Sequence, residues 1–112
     1  MSLGKVLITG SSSGLGNHLA VYYSEKGHEI LLHGRNEEKL IQIQKKINEN
    51  GEKAKYIVAD LNNEEDLKLL CGKAKQENIK ILINNAGIIC PGLPLKDFSY
   101  EKIESMIKVN LI

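Results

Sequence analysis

The sequence has no long hydrophobic run, no basic run and only two cysteines. Fifteen lysines and arginines against fourteen aspartates and glutamates leave a net charge of +1. Such a balance offers no basic surface to nucleic acid or to an anionic membrane as the main partner. We therefore expect no nucleic-acid partner, no membrane partner and no transmembrane span, and the amino terminus lacks a signal-peptide layout.

The two cysteines, Cys71 and Cys90, have neither metal-ligand nor redox spacing. Two thiols without such spacing are typical of a reducing compartment, so we expect a cytoplasmic protein with no metal site. Cys71 falls on the apolar stripe of a predicted helix and Cys90 in a predicted loop, and we assign no chemical role to either residue.

Strand and helix patterns alternate along the chain, which has no internal repeat, low-complexity tract or linker. This βαβαβαβα order predicts a mostly parallel sheet with helices on both faces and right-handed crossovers. We expect one α/β domain over residues 1–112, a Rossmann-like three-layer α/β/α fold with about four strands in order 3-2-1-4. Strands are predicted from residue 5 and over 29–33, 54–59 and 79–83. Helices are predicted over 14–26, after the caps Asn36 and Asn63, and again from Tyr100, after a loop over 84–99. Apolar residues at helical spacing predict the buried stripes of the first three helices: Leu15, Leu19 and Tyr23; Leu40, Ile43 and Ile47; and Leu67, Leu70, Cys71 and Ala74.

A glycine-rich connection, Thr-Gly-Ser-Ser-Ser-Gly-Leu-Gly at residues 9–16, joins the first strand to the first helix. Glycine lets backbone approach a ligand, and a helix start directs free N–H groups at an anion. The spacing G-x-x-x-G-x-G is neither the general dinucleotide fingerprint nor a Walker A loop. We predict pyrophosphate binding, with an ordinary glycine-rich turn as the alternative, and amides already occupied within the protein would contradict it. The residues concerned are Gly10, Ser11, Ser12, Ser13, Gly14, Leu15 and Gly16.

The same connection resembles the cofactor loop of the short-chain dehydrogenase/reductase family. A second stretch, Asn84-Asn85-Ala86-Gly87 after the fourth predicted strand, resembles another signature of that family. In the order 3-2-1-4 these two loops flank the point where the strand order reverses, which is where a dinucleotide binds. The resemblance implies that Asn85, Ala86 and Gly87 let backbone reach the nicotinamide ribose, while the asparagine amides tie neighbouring strands.

The residues after the second strand bear on the choice of cofactor. They read His33-Gly34-Arg35-Asn36, with no carboxylate before Glu37. An acidic residue near this point binds the ribose 2′-OH in dinucleotide folds, whereas a guanidinium can bind a 2′-phosphate by two parallel hydrogen bonds. In the resemblance, Gly34 replaces the aspartate of NAD-preferring members and Arg35 is like the arginine of NADP-preferring ones. We predict NADP (NADPH) rather than NAD, with a solvated arginine as the alternative.

Three other positions correspond to functional residues of the family. The resemblance implies that Asp60 meets the adenine edge while Leu61 packs on the ring; a turn aspartate bonded to its own backbone is an equal alternative. Asn110 is similar to the catalytic asparagine, which helps to hold a proton-relay lysine and water. A core asparagine capping a backbone carbonyl is the alternative for Asn110.

Two pairs of residues in the first part of the chain have the types of catalytic residues but not their positions. Tyr22 and Lys26 have the family's Tyr-x-x-x-Lys spacing, but they fall on the first helix, so we interpret them as surface residues. His18 and His33 have no acid partner or nucleophile at suggestive spacing. We expect these two histidines to be exposed or in loops.

The family's catalytic serine and Tyr-x-x-x-Lys, which handle the proton, come after the catalytic asparagine and are not in this sequence. The resemblance therefore covers about the first half of a family member, and we expect a fragment whose fourth strand forms an apolar sheet edge. The implied function is the NADP(H)-binding half of a short-chain oxidoreductase that transfers hydride between nicotinamide and a carbonyl or secondary alcohol.

Two other functions remain open for this sequence. One is a non-catalytic dinucleotide-binding or interaction module, and the other, an extended-family epimerase, fits the glycine spacing less well. The family also implies a homo-oligomer for the full-length protein, acting on a small-molecule carbonyl or alcohol. The sequence leaves open whether the chain alone binds cofactor or has activity.

Overall fold

The computed structural model describes residues 3–12, 14–85 and 93–94. The predictions for Ser13, Ala86, Gly87, Cys90 and Asn110, and for the helix from Tyr100, lie outside these residues. The elements alternate as predicted. They are β1 (Lys5–Thr9), α1 (Gly14–Glu25), β2 (Ile30–Gly34), α2 (Glu37–Glu49), β3 (Ala54–Val58), α3 (Glu64–Gln76), β4 (Ile79–Asn84) and β5 (Leu93–Pro94).

The sheet has the order β3-β2-β1-β4-β5, and its first four strands are parallel. This confirms the predicted α/β class and the order 3-2-1-4. Thr9 pairs with Asn84 and Gly34 pairs with Val58, so the carboxyl ends of these strands form one edge. The connections that leave this edge are the ones in which the sequence predicted cofactor contacts.

The short strand β5 was not predicted, because its residues fall in the stretch expected to be a loop. It runs antiparallel to β4, with Leu93 opposite Leu82 and Pro94 opposite Ile81. The expectation that β4 forms the sheet edge is therefore wrong at Ile81 and Leu82. Two residues are too few to show a strand period, and proline, which lacks an N–H group, is typical of turns or sheet edges.

Both faces of the sheet are covered, which explains why β1 and β2 are apolar almost throughout. On one face, Leu7, Leu31 and Leu82 pack under α3. On the other face, Ile8 and Leu32 pack under α1 and α2. Burial of each such side chain contributes about 1.5–3 kcal/mol. The α3 residues Leu67, Leu70, Cys71 and Ala74 and the α2 residues Leu40, Ile43 and Ile47 are buried as predicted.

The starts of α2 and α3 confirm both predicted caps. The Asn36 side chain accepts from the Lys39 N–H at 3.2 Å, and the Asn63 side chain accepts from the Asp66 N–H at 3.0 Å. Acidic residues in both first turns complement the helix dipole. In the part of the chain that the structure describes, no helix has the length and apolar character needed to cross a membrane.

The buried face of α1 differs from the predicted stripe. Leu15 is 64% exposed, and the buried residues are the small Gly16, Ala20 and Ser24. Leu19 and Tyr23 are only partly buried at the rim of the core. α1 begins in close contact with the loop after β1, which leaves room only for glycine at position 16.

Candidate cofactor site

Gly10 is held in position from two sides. Its φ of +66° is a left-handed conformation that favours glycine. Its N–H donates to Nδ1 of His33 at 3.1 Å, and its carbonyl accepts from Nδ2 of Asn85 at 3.2 Å. The second bond confirms that an amide after β4 ties neighbouring segments together.

Ser11 is fully buried and is bonded to the backbone of His33. Its N–H donates to the His33 carbonyl at 2.7 Å, and its hydroxyl accepts from the His33 N–H at 3.2 Å and donates to the Ile8 carbonyl. The N–H groups of Gly10 and Ser11 are thus occupied and cannot also serve a phosphate. The pyrophosphate prediction now rests on Ser12 and on the start of α1, since the N–H groups and the dipole of a helix start are directed at an anion.

The two glycines that open α1 have different surroundings. A Cβ at Gly16 would lie 2.2 Å from the Gly10 carbonyl oxygen and 2.8 Å from Cα of Ser11, so packing requires glycine there. At Gly14, by contrast, a Cβ would meet no described heavy atom within 4 Å. Packing therefore gives no reason for glycine at position 14, and the place where its side chain would lie is open.

His33 contradicts the expectation of an exposed or loop histidine. It lies within β2, is only 3% exposed, and its Nε2 is 2.9 Å from the Ala59 carbonyl. Since Nδ1 accepts from Gly10, the ring hydrogen is on Nε2 and is donated to Ala59. Burial lowers the pKa of this imidazole, which favours its neutral form. The signal was available: a histidine in a parallel strand covered on both faces is expected to be buried.

Arg35 follows β2 directly and is exposed. It forms no ion pair with any residue that the structure describes. The preceding residue, Gly34, touches the glycine-rich loop, since a Cβ there would lie 2.7 Å from Oγ of Ser12. Arg35 therefore directly follows a residue that packs closely against that loop.

Asp60 forms the turn that was predicted as the alternative to an adenine contact. Its Oδ1 accepts from the Asn62 N–H at 2.9 Å, while its own N–H donates to Oδ2 of Asp66 at 2.9 Å. The second carboxylate oxygen, Oδ2, is not used in this turn, so the two interpretations are compatible. The neighbouring Leu61 is half-buried against the core beneath α3.

Tyr22 on α1 and Lys26, which directly follows that helix, lie at the surface, as predicted. Tyr22 is 53% exposed, and Nζ of Lys26 lies 5.3 Å from its ring centroid, a cation–π contact. His18 is also exposed. Among the described residues, no group of three or more histidine, cysteine, aspartate or glutamate side chains could hold a metal ion.

The strand order and the loops at its reversal point define a class of protein. A parallel sheet that reverses between β1 and β4, with a glycine-rich β1–α1 connection at that point, is the Rossmann-like dinucleotide-binding architecture. The sequence profile described as "short chain dehydrogenase" matches residues 4–112. The chain belongs to this family of oxidoreductases, which use nicotinamide cofactors.

Individual relatives agree with this assignment. The chain is 33% identical over 110 residues to glucose 1-dehydrogenase of Gluconobacter oxydans, a match covering 96% of the chain and 41% of that protein. A bulky-bulky ketone specific alcohol dehydrogenase from Comamonas testosteroni has a TM-score of 0.74 and 28% identity over 96% of the chain and 43% of its own. A short-chain dehydrogenase from Sphingobium yanoikuyae in complex with NADPH has a TM-score of 0.72 and 33% identity, over 96% and 42%. The chain thus spans less than half the length of these relatives.

Proposed function

We propose that this chain is the NADP(H)-binding half of a short-chain oxidoreductase that transfers hydride between a nicotinamide cofactor and a carbonyl or secondary alcohol. The observation that carries the proposal is the open space where a Gly14 side chain would lie, at a helix start where packing does not require glycine. A diphosphate fits such a place, because first-turn N–H groups and the helix dipole are directed at it. The Sphingobium relative in complex with NADPH supports this reading.

Each half of the cofactor has proposed contacts. Ser12, Ser13 and the first turn of α1 at Gly14, Leu15 and Gly16 hold the diphosphate, while Gly10 and Ser11 shape the loop. Arg35 binds the 2′-phosphate. The remaining proposed contacts are Asp60 and Leu61 with adenine, and Asn85, Ala86 and Gly87 with the nicotinamide ribose.

The bound nicotinamide supplies the hydride. The chain's own part is to hold and orient the dinucleotide, and Asn110 is proposed to help position the proton-relay lysine and water of the longer protein. A cytoplasmic location and a homo-oligomeric full-length protein remain predictions. A non-catalytic module that uses an open edge at β4 loses support, because β5 pairs with that edge at Ile81 and Leu82.

The test is calorimetric titration of the 112-residue chain with NADP and with NAD, before and after Arg35→Ala. We expect tighter binding of NADP, and an NADP affinity lowered about ten- to hundredfold by the substitution, since charged hydrogen bonds contribute about 1.5–3 kcal/mol. NAD affinity should change less than about twofold. The control Lys45→Ala removes one exposed positive charge from α2 and should leave both affinities unchanged. Equal losses for both cofactors would contradict the role of Arg35, and no binding of either would contradict the proposed function.

A further inference from the structure

We propose that His33 is a positioning residue for the cofactor site, because its neutral imidazole holds the peptide group of Gly10 in the conformation from which α1 begins. This inference rests on the proposed function. It concerns a residue beneath the site, whose imidazole acts through the loop rather than by touching the cofactor.

The imidazole joins two of the loops that carry proposed cofactor contacts. Nδ1 accepts from the Gly10 N–H at 3.1 Å, and Nε2 donates to the Ala59 carbonyl at 2.9 Å. Gly10 belongs to the glycine-rich connection at residues 9–16, which is proposed to hold the diphosphate, and Ala59 directly precedes Asp60. Arg35 lies only two residues after His33. His33 is therefore next to three parts of the proposed site: the glycine-rich connection, the Asp60 turn and the Arg35 segment.

The main chain of His33 reinforces the side chain. Its N–H and carbonyl bond the hydroxyl and the N–H of Ser11. Asn85 holds the carbonyl of Gly10 from the opposite side. The main chain at Gly10 is thus held between β2 and the residue after β4. The imidazole of His33 provides the acceptor for its N–H on the β2 side.

Few side chains can serve both positions. The site needs an acceptor toward Gly10 and a donor toward Ala59, in a place 3% exposed to solvent. A neutral imidazole with its hydrogen on Nε2 supplies both from one rigid ring. A protonated ring would place an N–H opposite the N–H of Gly10, so the positioning role requires the neutral form.

Two variants separate the two hydrogen bonds. His33→Asn keeps an oxygen near the place of Nδ1, which can accept from Gly10, and loses the donor to Ala59. His33→Gln carries its amide nearer the place of Nε2, which can donate to Ala59, and loses the acceptor for Gly10. Each variant removes one buried hydrogen bond, so their losses of stability should be similar, and denaturant unfolding checks this match.

Calorimetric titration then compares both variants with the wild-type chain. We expect His33→Asn to keep its affinity for NADP within about threefold and His33→Gln to lose about tenfold. Because the diphosphate loop serves both cofactors, His33→Gln should lower NADP and NAD affinity by the same factor, unlike Arg35→Ala. Equal affinity losses in the two stability-matched His33 variants would overturn the inference, because His33 would then act only through general packing.

Hydrogen exchange at the Gly10 amide, read by ¹⁵N NMR without cofactor, gives a second measurement. Protection in the wild type and in His33→Asn, with faster exchange in His33→Gln, is the expected result. Unchanged protection in His33→Gln would overturn the inference even if cofactor binds. A wild-type chain that binds neither cofactor would instead contradict the proposed function, and the role of His33 would fail with it.

Discussion

Gly34 and Ser12 lie so close together that the end of β2 and the loop after β1 leave no free space for a Cβ at position 34. A Cβ at position 34 would lie 2.7 Å from Oγ of Ser12 and 3.2 Å from its Cβ. The hydroxyl can rotate away, but the Cβ of Ser12 is fixed to the backbone. The conformation of the glycine-rich loop and the start of the Arg35 segment therefore depend on each other.

The first prediction follows from this contact. Gly34→Ala should lower the free energy of unfolding by about 1 kcal/mol, because the new methyl group overpacks against Ser12. Ser12→Gly removes both contacting atoms, so the double variant Gly34→Ala/Ser12→Gly should recover most of the loss. Denaturant unfolding of the two single variants and the double variant forms a double-mutant cycle. Strictly additive effects would show that the two residues do not interact.

The second prediction compares the two glycines of α1. Gly16→Ala should lower the free energy of unfolding by about 2–3 kcal/mol, because its Cβ would lie 2.2 Å from a backbone oxygen. Gly14→Ala should leave stability unchanged or raise it by up to about 1 kcal/mol, since alanine favours a helix. Its methyl group would nevertheless fill the space proposed for the diphosphate, and titration should show about tenfold weaker NADP binding. Wild-type affinity in Gly14→Ala would exclude a close approach of cofactor at this position.

The third prediction concerns pH. Burial lowers the pKa of His33 below its ordinary value of 6.5. At a pH between the lowered pKa and 6.5, the unfolded chain therefore binds more protons than the folded chain. The free energy of unfolding should therefore be fully retained above about pH 6.5 and fall progressively as the pH decreases through the lowered pKa. Urea unfolding between pH 7.5 and pH 5 should show this slope in the wild type. In His33→Asn the slope should be smaller, and an identical slope in both proteins would refute the assignment to His33.

The fourth prediction concerns Glu77, which lies just before β4, at the amino ends of the parallel strands. Its carboxylate lies 3.0 Å from Nζ of Lys55, 3.4 Å from that of Lys5 and 3.6 Å from that of Lys73, and its side chain is 10% exposed. The hydrogen bond from Lys55 is the main cause of its lowered pKa. Glu77→Gln should lower the free energy of unfolding by about 1–2 kcal/mol at pH 7.

The pH dependence and a matched variant test this assignment. Because the pKa of Glu77 is lowered in the folded chain, its stabilisation is present above its ordinary value of 4.5 and is lost as the pH falls through the lowered pKa. Glu65→Gln changes a carboxylate that is 83% exposed and 3.8 Å from Lys68, and should cost less than about 0.5 kcal/mol. Similar losses in Glu77→Gln and Glu65→Gln would mean that the lysines around Glu77 add nothing.

The sequence predicted those parts of the fold that depend on local or periodic signals. Asn36 and Asn63 cap their helices because an asparagine side chain satisfies first-turn N–H groups wherever a helix begins. The apolar stripes of α2 and α3 and the strand order followed from periodicity and from the rules for parallel connections. Short-range chemistry was sufficient for these features.

The predictions failed where a residue's environment is made by distant segments. Leu15 fitted a helical stripe, but it is the next residue, Gly16, that faces Gly10 at close range, and Leu15 is exposed. Strand β5 has no period of its own and exists through its pairing with β4. The expectation that His33 is exposed or in a loop was based on its neighbours in the sequence. These include neither the Gly10 amide nor the Ala59 carbonyl, which its ring contacts in the fold.

By itself, the sequence determined the element types, their order and the two loops at the reversal of the sheet, because these depend on residue type and spacing along the chain. Only the tertiary structure decided which amides of the glycine-rich loop are occupied and which glycine packing requires. It also decided that a buried imidazole bonds the Gly10 N–H and the Ala59 carbonyl. Each of these depends on atoms that are far apart in the chain and meet only when parallel strands end at one edge.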